Sequence, residues 1–285
     1  MGLQREQRGD DEQVDLPAAR FEEPAANGVW AVAPTPRAIV CFWHTERLPT
    51  GGFSSCSPVL PWPSSDPREK SLSRTLYYLF DPLCGWCYGA GAAVAALAGS
   101  DAVDLELLPS GLFQDEGARP LDAAFAAYAW ANDQRIERLT GQPFSRRYRE
   151  EVLANRTQRF DSGPATLALT AVNLTAPGSE VEALKVIQHA RYVEGQDVTQ
   201  QAVLCEALRS LGLTDAAQRM QASDDTLRAA AKARIHEARA LMRRVGAQGV
   251  PTFVLDSEVG PQLLPAGAVH SDPQAFLDRL TASPA

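Results

Sequence analysis

The sequence predicts an α/β fold in which a large helical insertion separates the second and third strands. Three observations predict it. An aromatic and aliphatic run, Thr75–Phe80, is followed at once by a Cys-x-x-Cys motif and a small, apolar stretch of helical character. A long segment rich in Ala, Leu, Arg and Glu then carries helical spacing from about residue 120 to 246. After it, Gly249-Val250-Pro251-Thr252 opens a further short apolar run, Phe253–Leu255.

Composition narrows the classes of partner. The 285 residues are 45% hydrophobic, enough for a packed core, and their formal net charge of -8 is spread along the chain with no long basic run. Such a pattern offers little to a phosphate backbone or an anionic membrane surface, so nucleic acid is not an expected partner. No apolar run approaches the ~20 residues of a spanning helix, and the early run Ala38–Trp43 falls far short. The chain opens with mixed charges and the acidic cluster Asp10, Asp11, Glu12 in place of a basic start and apolar leader. The cytoplasm is therefore the expected compartment, where an exposed dithiol is kept reduced. Nothing in the sequence bears on oligomeric state.

The elements follow in order. Residues 1–72 hold nine of the twenty prolines with Gly51-Gly52, Ser54-Ser55 and Ser64-Ser65, and no helical or alternating period survives. A disordered extension is expected there, although Trp30, Trp43 and Trp62 are unusual in such a segment. Cys41 and Cys56 are read as incidental thiols. From residue 73 to 285 a folded unit is expected. Thr75–Phe80, bounded by Asp81-Pro82, reads as a buried strand. Tyr88–Leu97 reads as a helix, with Gly89 and Gly91 allowing close packing on a sheet. In Val103–Leu108, apolar residues alternate with Asp104 and Glu106, the pattern of a half-buried strand. The helical segment is broken at Thr140-Gly-Gln-Pro143, Ser162-Gly-Pro164 and Pro177-Gly178. Beyond the strand at Phe253–Leu255 come another strand and a terminal amphipathic helix, Pro273 to about Leu280.

Disulfide exchange needs one thiolate that attacks and a second thiol that can reach the mixed disulfide and expel the product. Cys84-Gly85-Trp86-Cys87, after a strand and before a helix, supplies both at one turn's separation. At the start of a helix, unpaired backbone N–H groups and the helix dipole are expected to favour the Cys84 thiolate. Cys87, one turn inward, is expected to be more buried and less acidic. Half a zinc site is the competing reading, but zinc wants further Cys or His ligands, and His44, His189, His236 and His270 are scattered singly, so no metal is expected. Trp86 serves either as substrate surface or as a half-buried cover. Val250-Pro251 at a strand entrance either holds a cis bond that leaves backbone free to pair with an extended peptide, or simply starts the strand. Cys205, alone in a helical stretch, reads as a buried apolar side chain without catalytic role. Asp133-Gln-Arg-Ile-Glu-Arg138 reads as solvated helix pairs.

Together, Asp81-Pro-Leu-Cys-Gly-Trp-Cys-Tyr-Gly89, Gly111-Leu-Phe113, Arg135-Ile136 with Thr140-Gly-Gln-Pro-Phe144, Gln188 through Tyr192-Val-Glu-Gly195, and Gly249-Val-Pro-Thr-Phe253 resemble the DsbA-like thioredoxin-domain family. Within it the similarity is to bacterial cytosolic proteins described as predicted protein-disulfide isomerases. It covers about residues 74 to 280, and nothing before residue 73 takes part. The resemblance implies a thioredoxin fold interrupted by a helical insertion, Cys84 as nucleophile, Cys87 as resolving thiol and Pro251 as a cis-proline facing them.

The expected activity is thiol–disulfide exchange on a disulfide-containing protein or peptide, without a cofactor, glutathione being a candidate co-substrate. The alternative is a glutathione-dependent transferase or isomerase, of the kappa class or the 2-hydroxychromene-2-carboxylate isomerase type. Those relatives typically carry serine where this chain has Cys84. A non-catalytic peptide-binding role beside Pro251 is the third reading.

Overall fold

The computed structural model describes residues 74–265 and 267–282. The expectation for residues 1–72, with Trp30, Trp43, Trp62, Cys41 and Cys56, lies outside the described residues.

A four-stranded sheet organises the fold. Strands β1 (Arg74–Phe80) and β2 (Val103–Pro109) pair in parallel, while β5 (Thr252–Leu255) runs antiparallel to β1, and β6 (Gln262–Leu264) antiparallel to β5. The order across the sheet is β2-β1-β5-β6. A parallel pair requires a crossover, and the helices α1 (Gly85–Gly89) and α2 (Gly91–Ala98) provide it. Because side chains alternate across a strand, β1 feeds two cores. Leu76, Tyr78 and Phe80 join the larger one, whereas Leu79 packs with Leu108, Val254 and Ala238 on the opposite face. The second face is covered by α8 (Asp225–Val245). A strand covered on both sides reads as a continuous apolar run rather than an alternating one, which is what Thr75–Phe80 is.

The insertion contains α3 (Ala123–Thr140), α4 (Gly163–Thr175), α5 (Glu180–Tyr192), α6 (Gln201–Ser210) and α7 (Thr214–Ala222), and closes with α8. Asp122 caps α3 by accepting from the Phe125 N–H at 2.7 Å, and Asp224 caps α8 by accepting from the Leu227 N–H at 2.8 Å. Helix α3 stops at Gly141, whose φ of 74° suits glycine. Ala165, Ala168, Ala171 and Val172 of α4 are fully buried, and their small size lets neighbouring helices approach. The insertion is not purely helical. Arg119–Pro120 (β3) and Arg159–Phe160 (β4) form a short antiparallel pair, and Tyr148–Leu153 is a π-helical turn. The chain ends in α9 (Gly267–Ser271) and α10 (Pro273–Ala282).

Two local expectations are corrected. The helix expected from Tyr88 to Leu97 begins earlier, at Gly85, and is divided at Ala90 into α1 and α2. Gly89 does not pack on the sheet: a Cβ there would come within 2.6 Å of Ile136 Cγ2 on α3. Its missing side chain allows helix-on-helix approach. Cys205 is 1% exposed on α6, where its thiol donates to the Ala217 carbonyl at 3.6 Å.

Candidate active site

The turn between β1 and α1 sets the position of both thiols. Asp81, fully buried, accepts from the Leu83 N–H at 2.9 Å, the Phe113 N–H at 3.1 Å and the Ser162 hydroxyl at 2.8 Å. Burial raises its carboxyl from the ordinary range, against the lowering effect of those hydrogen bonds. The Cys84 N–H closes the turn onto the Asp81 carbonyl at 3.1 Å. From the insertion, the Tyr192 hydroxyl donates to the Leu83 carbonyl at 2.7 Å. These bonds satisfy a buried turn that would otherwise carry unpaired polar groups.

Cys84 is the N-cap of α1, with extended backbone at φ -81° and ψ 117°, and Cys87 lies within the helix. Both are free thiols. Cys84 is 7% exposed and Cys87 1%. Burial pushes the Cys87 thiol well above its ordinary range, and the hydrogen bond and charge of the adjacent Cys84 sulfur push it further. The Tyr78 hydroxyl holds the helix from beneath, donating to the Cys87 carbonyl at 3.2 Å. Opposite, the Val250–Pro251 peptide bond is cis, and the Cys84 thiol approaches the Val250 carbonyl at 3.8 Å. Val250 and Pro251 are half-buried.

Gly85 and Trp86 have different surroundings. A Cβ on Gly85 would meet Asp133 Oδ1 at 2.5 Å, so the carboxyl of α3 is seated against the first residue of α1. Trp86 is half-buried. His270 meets its ring edge-on at 5.2 Å between centroids, and the Arg135 guanidinium lies 5.6 Å above it. His270 Nε2 is 2.9 Å from the Trp86 carbonyl, and a carbonyl only accepts, so this nitrogen carries the donated proton.

Asp133 is thereby removed from the solvated pairs expected of its segment, while Arg135 stays exposed. Asp133 is 5% exposed and accepts from the Tyr148 hydroxyl at 3.0 Å. Burial pushes its carboxyl up to about 7, with Tyr148 and Arg191 opposing the shift. Arg191, itself buried, lies 5.5 Å from the Tyr148 ring and 5.7 Å from the Tyr192 ring. Sequence reading missed Asp81, Asp133, Tyr148, Tyr192 and His270. Only two of them carried a signal: Asp81 lies within the dithiol motif itself, and Tyr192 within Gln188 through Gly195, a motif that meets the dithiol only in space.

Residues 75–279 match the family described as the DSBA-like thioredoxin domain. The comparison with curated proteins gives no match. Among solved structures, the chain is 37% identical to the cytosolic disulfide reductase DsbM from Pseudomonas aeruginosa, over 72% of this chain and 97% of that one, with a TM-score of 0.64. A structure of DsbM with GSH gives 37% identity over 72% of this chain and 98% of that one, with a TM-score of 0.62. A protein from Nitrosomonas europaea, provisionally assigned as a protein disulfide isomerase, shares the fold at 24% identity, over 73% of this chain and 98% of that one, with a TM-score of 0.58. Among the described residues, no helix is long and apolar enough to cross a membrane.

Proposed function

The chain belongs to the DSBA-like thioredoxin domain family and is a thiol–disulfide oxidoreductase, and from that premise we propose that it reduces disulfides in the cytoplasm, with Cys84 attacking and Cys87 resolving. One observation carries this reading: the Cys84 sulfur stands at the N-cap of α1, between the Val250 carbonyl and the buried Cys87 thiol.

The reaction balances within the dithiol. The Cys84 thiolate attacks one sulfur of the substrate, which forms a mixed disulfide and expels the other sulfur as thiolate. Cys87 then attacks the Cys84 sulfur, releasing the second thiolate and leaving a Cys84–Cys87 disulfide. Two electrons pass from the dithiol to the substrate, and the departing thiolates take up the two protons. The raised affinity of Cys87 for its proton keeps it from competing in the first step. Once Cys84 is bonded to substrate its charge is gone, and one of the influences that hold the Cys87 proton goes with it.

The substrate is a disulfide-bearing protein or peptide, whose extended backbone lies along Val250 and Pro251. The DsbM structure with GSH supports glutathione as the thiol that returns the oxidised dithiol to its reduced form. No metal or organic cofactor is needed, because the cysteines supply both electrons. In an assay with glutathione disulfide or a disulfide-bonded peptide, Cys84→Ser should lose reduction entirely and Cys87→Ala should lose turnover. Full activity in Cys84→Ser would overturn the assignment. Activity that survived loss of Cys87 would indicate a glutathione-dependent transferase instead.

A further inference from the structure

A cleft lies between α2 and α5, and neither Cys84 nor Val250 lines it. Its volume is about 180 Å³, and Cys87, but not Cys84, is among its lining residues. Tyr78, Val94 and Leu184 give it an apolar, buried floor, and Ala95 stands exposed at its mouth. An apolar cavity of about 150 Å³ is large enough to take up benzene, so this one has room for a single substituted ring.

One polar group in the wall is unsatisfied. Gln188 lines the cleft and is 3% exposed, and its Nε2 has no hydrogen-bond partner. A buried amide donor without an acceptor is costly, and a bound acceptor would offset that cost. Gln142, a second amide, also lines the cleft. The basic side chains at the rim already face carboxylates: Lys185 Nζ lies 3.4 Å from Glu182 Oε1, and His189 Nδ1 lies 3.3 Å from Glu194 Oε1. Two amides and a rim already supplied with carboxylates favour a neutral oxygen acceptor over an anion.

We propose that this cleft binds a small, neutral, ring-sized apolar molecule bearing a carbonyl oxygen, which accepts from Gln188 and lies against Cys87. Disulfide formation draws the Cys87 sulfur toward Cys84, so an occupant in contact with that sulfur is coupled to the redox state of the pair, and the coupling is reciprocal. Binding itself does not require Cys84 chemistry, and it is separable from the assignment of redox roles.

The test uses the reduced full-length chain titrated with benzamide, toluene and benzoate, with the methyl resonances of Val94 and Leu184 followed by NMR. Wild type and Cys84→Ser should show the same saturable benzamide shifts at both residues, with toluene binding more weakly. Gln188→Leu should weaken benzamide about tenfold, the size of one lost hydrogen bond to a buried group, while leaving toluene unchanged. Ala95→Phe, on the exposed mouth, should abolish binding of both while retaining the wild-type melting temperature. The proposal is overturned if neither benzamide nor toluene saturates, which would mean that water alone occupies the cleft, or if Ala95→Phe binds like wild type. Benzoate binding more tightly than benzamide would overturn the neutral-acceptor assignment, as would benzamide binding unchanged in Gln188→Leu.

Discussion

The carboxyl of Asp133 is withdrawn from water, holds a hydrogen bond from Tyr148 and lies against the residue that follows Cys84. Its proton is held up to about 7, against an ordinary value of 3.8. Between those values the folded protein binds more protons than the unfolded chain, so stability falls as pH rises through the interval and levels off above it. The full effect is on the order of 4 kcal/mol, reduced to the extent that Arg191 relaxes toward the ionised carboxylate. Urea unfolding at about pH 5 and about pH 8 should show the wild type less stable at the higher pH. Asp133→Asn keeps an acceptor for Tyr148 but cannot ionise, and should lose most of that difference. An equal difference in both proteins would remove Asp133 as its source. Gly85 is the complement of this arrangement, since any larger side chain would occupy the carboxyl's position.

Strands β1, β2 and β5 and helix α10 were legible because each has a short-range apolar pattern that its burial reproduces. The motif placed Cys84 at a helix start, but the division of that helix at Ala90 was not legible, because an alanine in a small apolar run marks no break. The polar face of α3 misled for another reason. A helix surface rich in Asp, Arg and Glu reads as solvated until a distant segment covers it, and here α1 covers Asp133. A similar long-range device joins the insertion to the sheet. Arg234 of α8 donates to the Leu107 carbonyl of β2 at 2.7 Å and is paired with buried Glu180 of α5, which also accepts from Asn173 at 2.9 Å. Removing one member of a buried pair strands the other charge. Arg234→Met is therefore expected to cost about 3 kcal/mol in denaturant unfolding, and Glu180→Leu combined with Arg234→Met should recover a large part of it. If the double variant is as unstable as Arg234→Met alone, the stranded charge is not the cause.

Across the molecule, the sheet brings together two segments that are 166 residues apart in sequence, so that the Cys84 thiol meets the Val250 carbonyl. Each carries a local signal, a dithiol at one helical turn and a proline at a strand entrance, and both could be picked out from the sequence. The groups that hold the turn and helix in place come from the insertion and the C-terminal region: Ser162, Tyr192, Asp133 and His270. Their chemical types are common, and only the folded chain distinguishes them from any other serine, tyrosine, aspartate or histidine. What they position is a pair of sulfurs with unequal burial, Cys84 at 7% and Cys87 at 1% exposure. The most direct measurement is peptide-mapping mass spectrometry of wild type and Cys87→Ala after reaction with glutathione disulfide. The expected result is a Cys84–Cys87 bond in the wild type and a stable glutathione adduct on Cys84 in the variant. An adduct confined to another cysteine, or no adduct at all, would contradict the division of labour between Cys84 and Cys87.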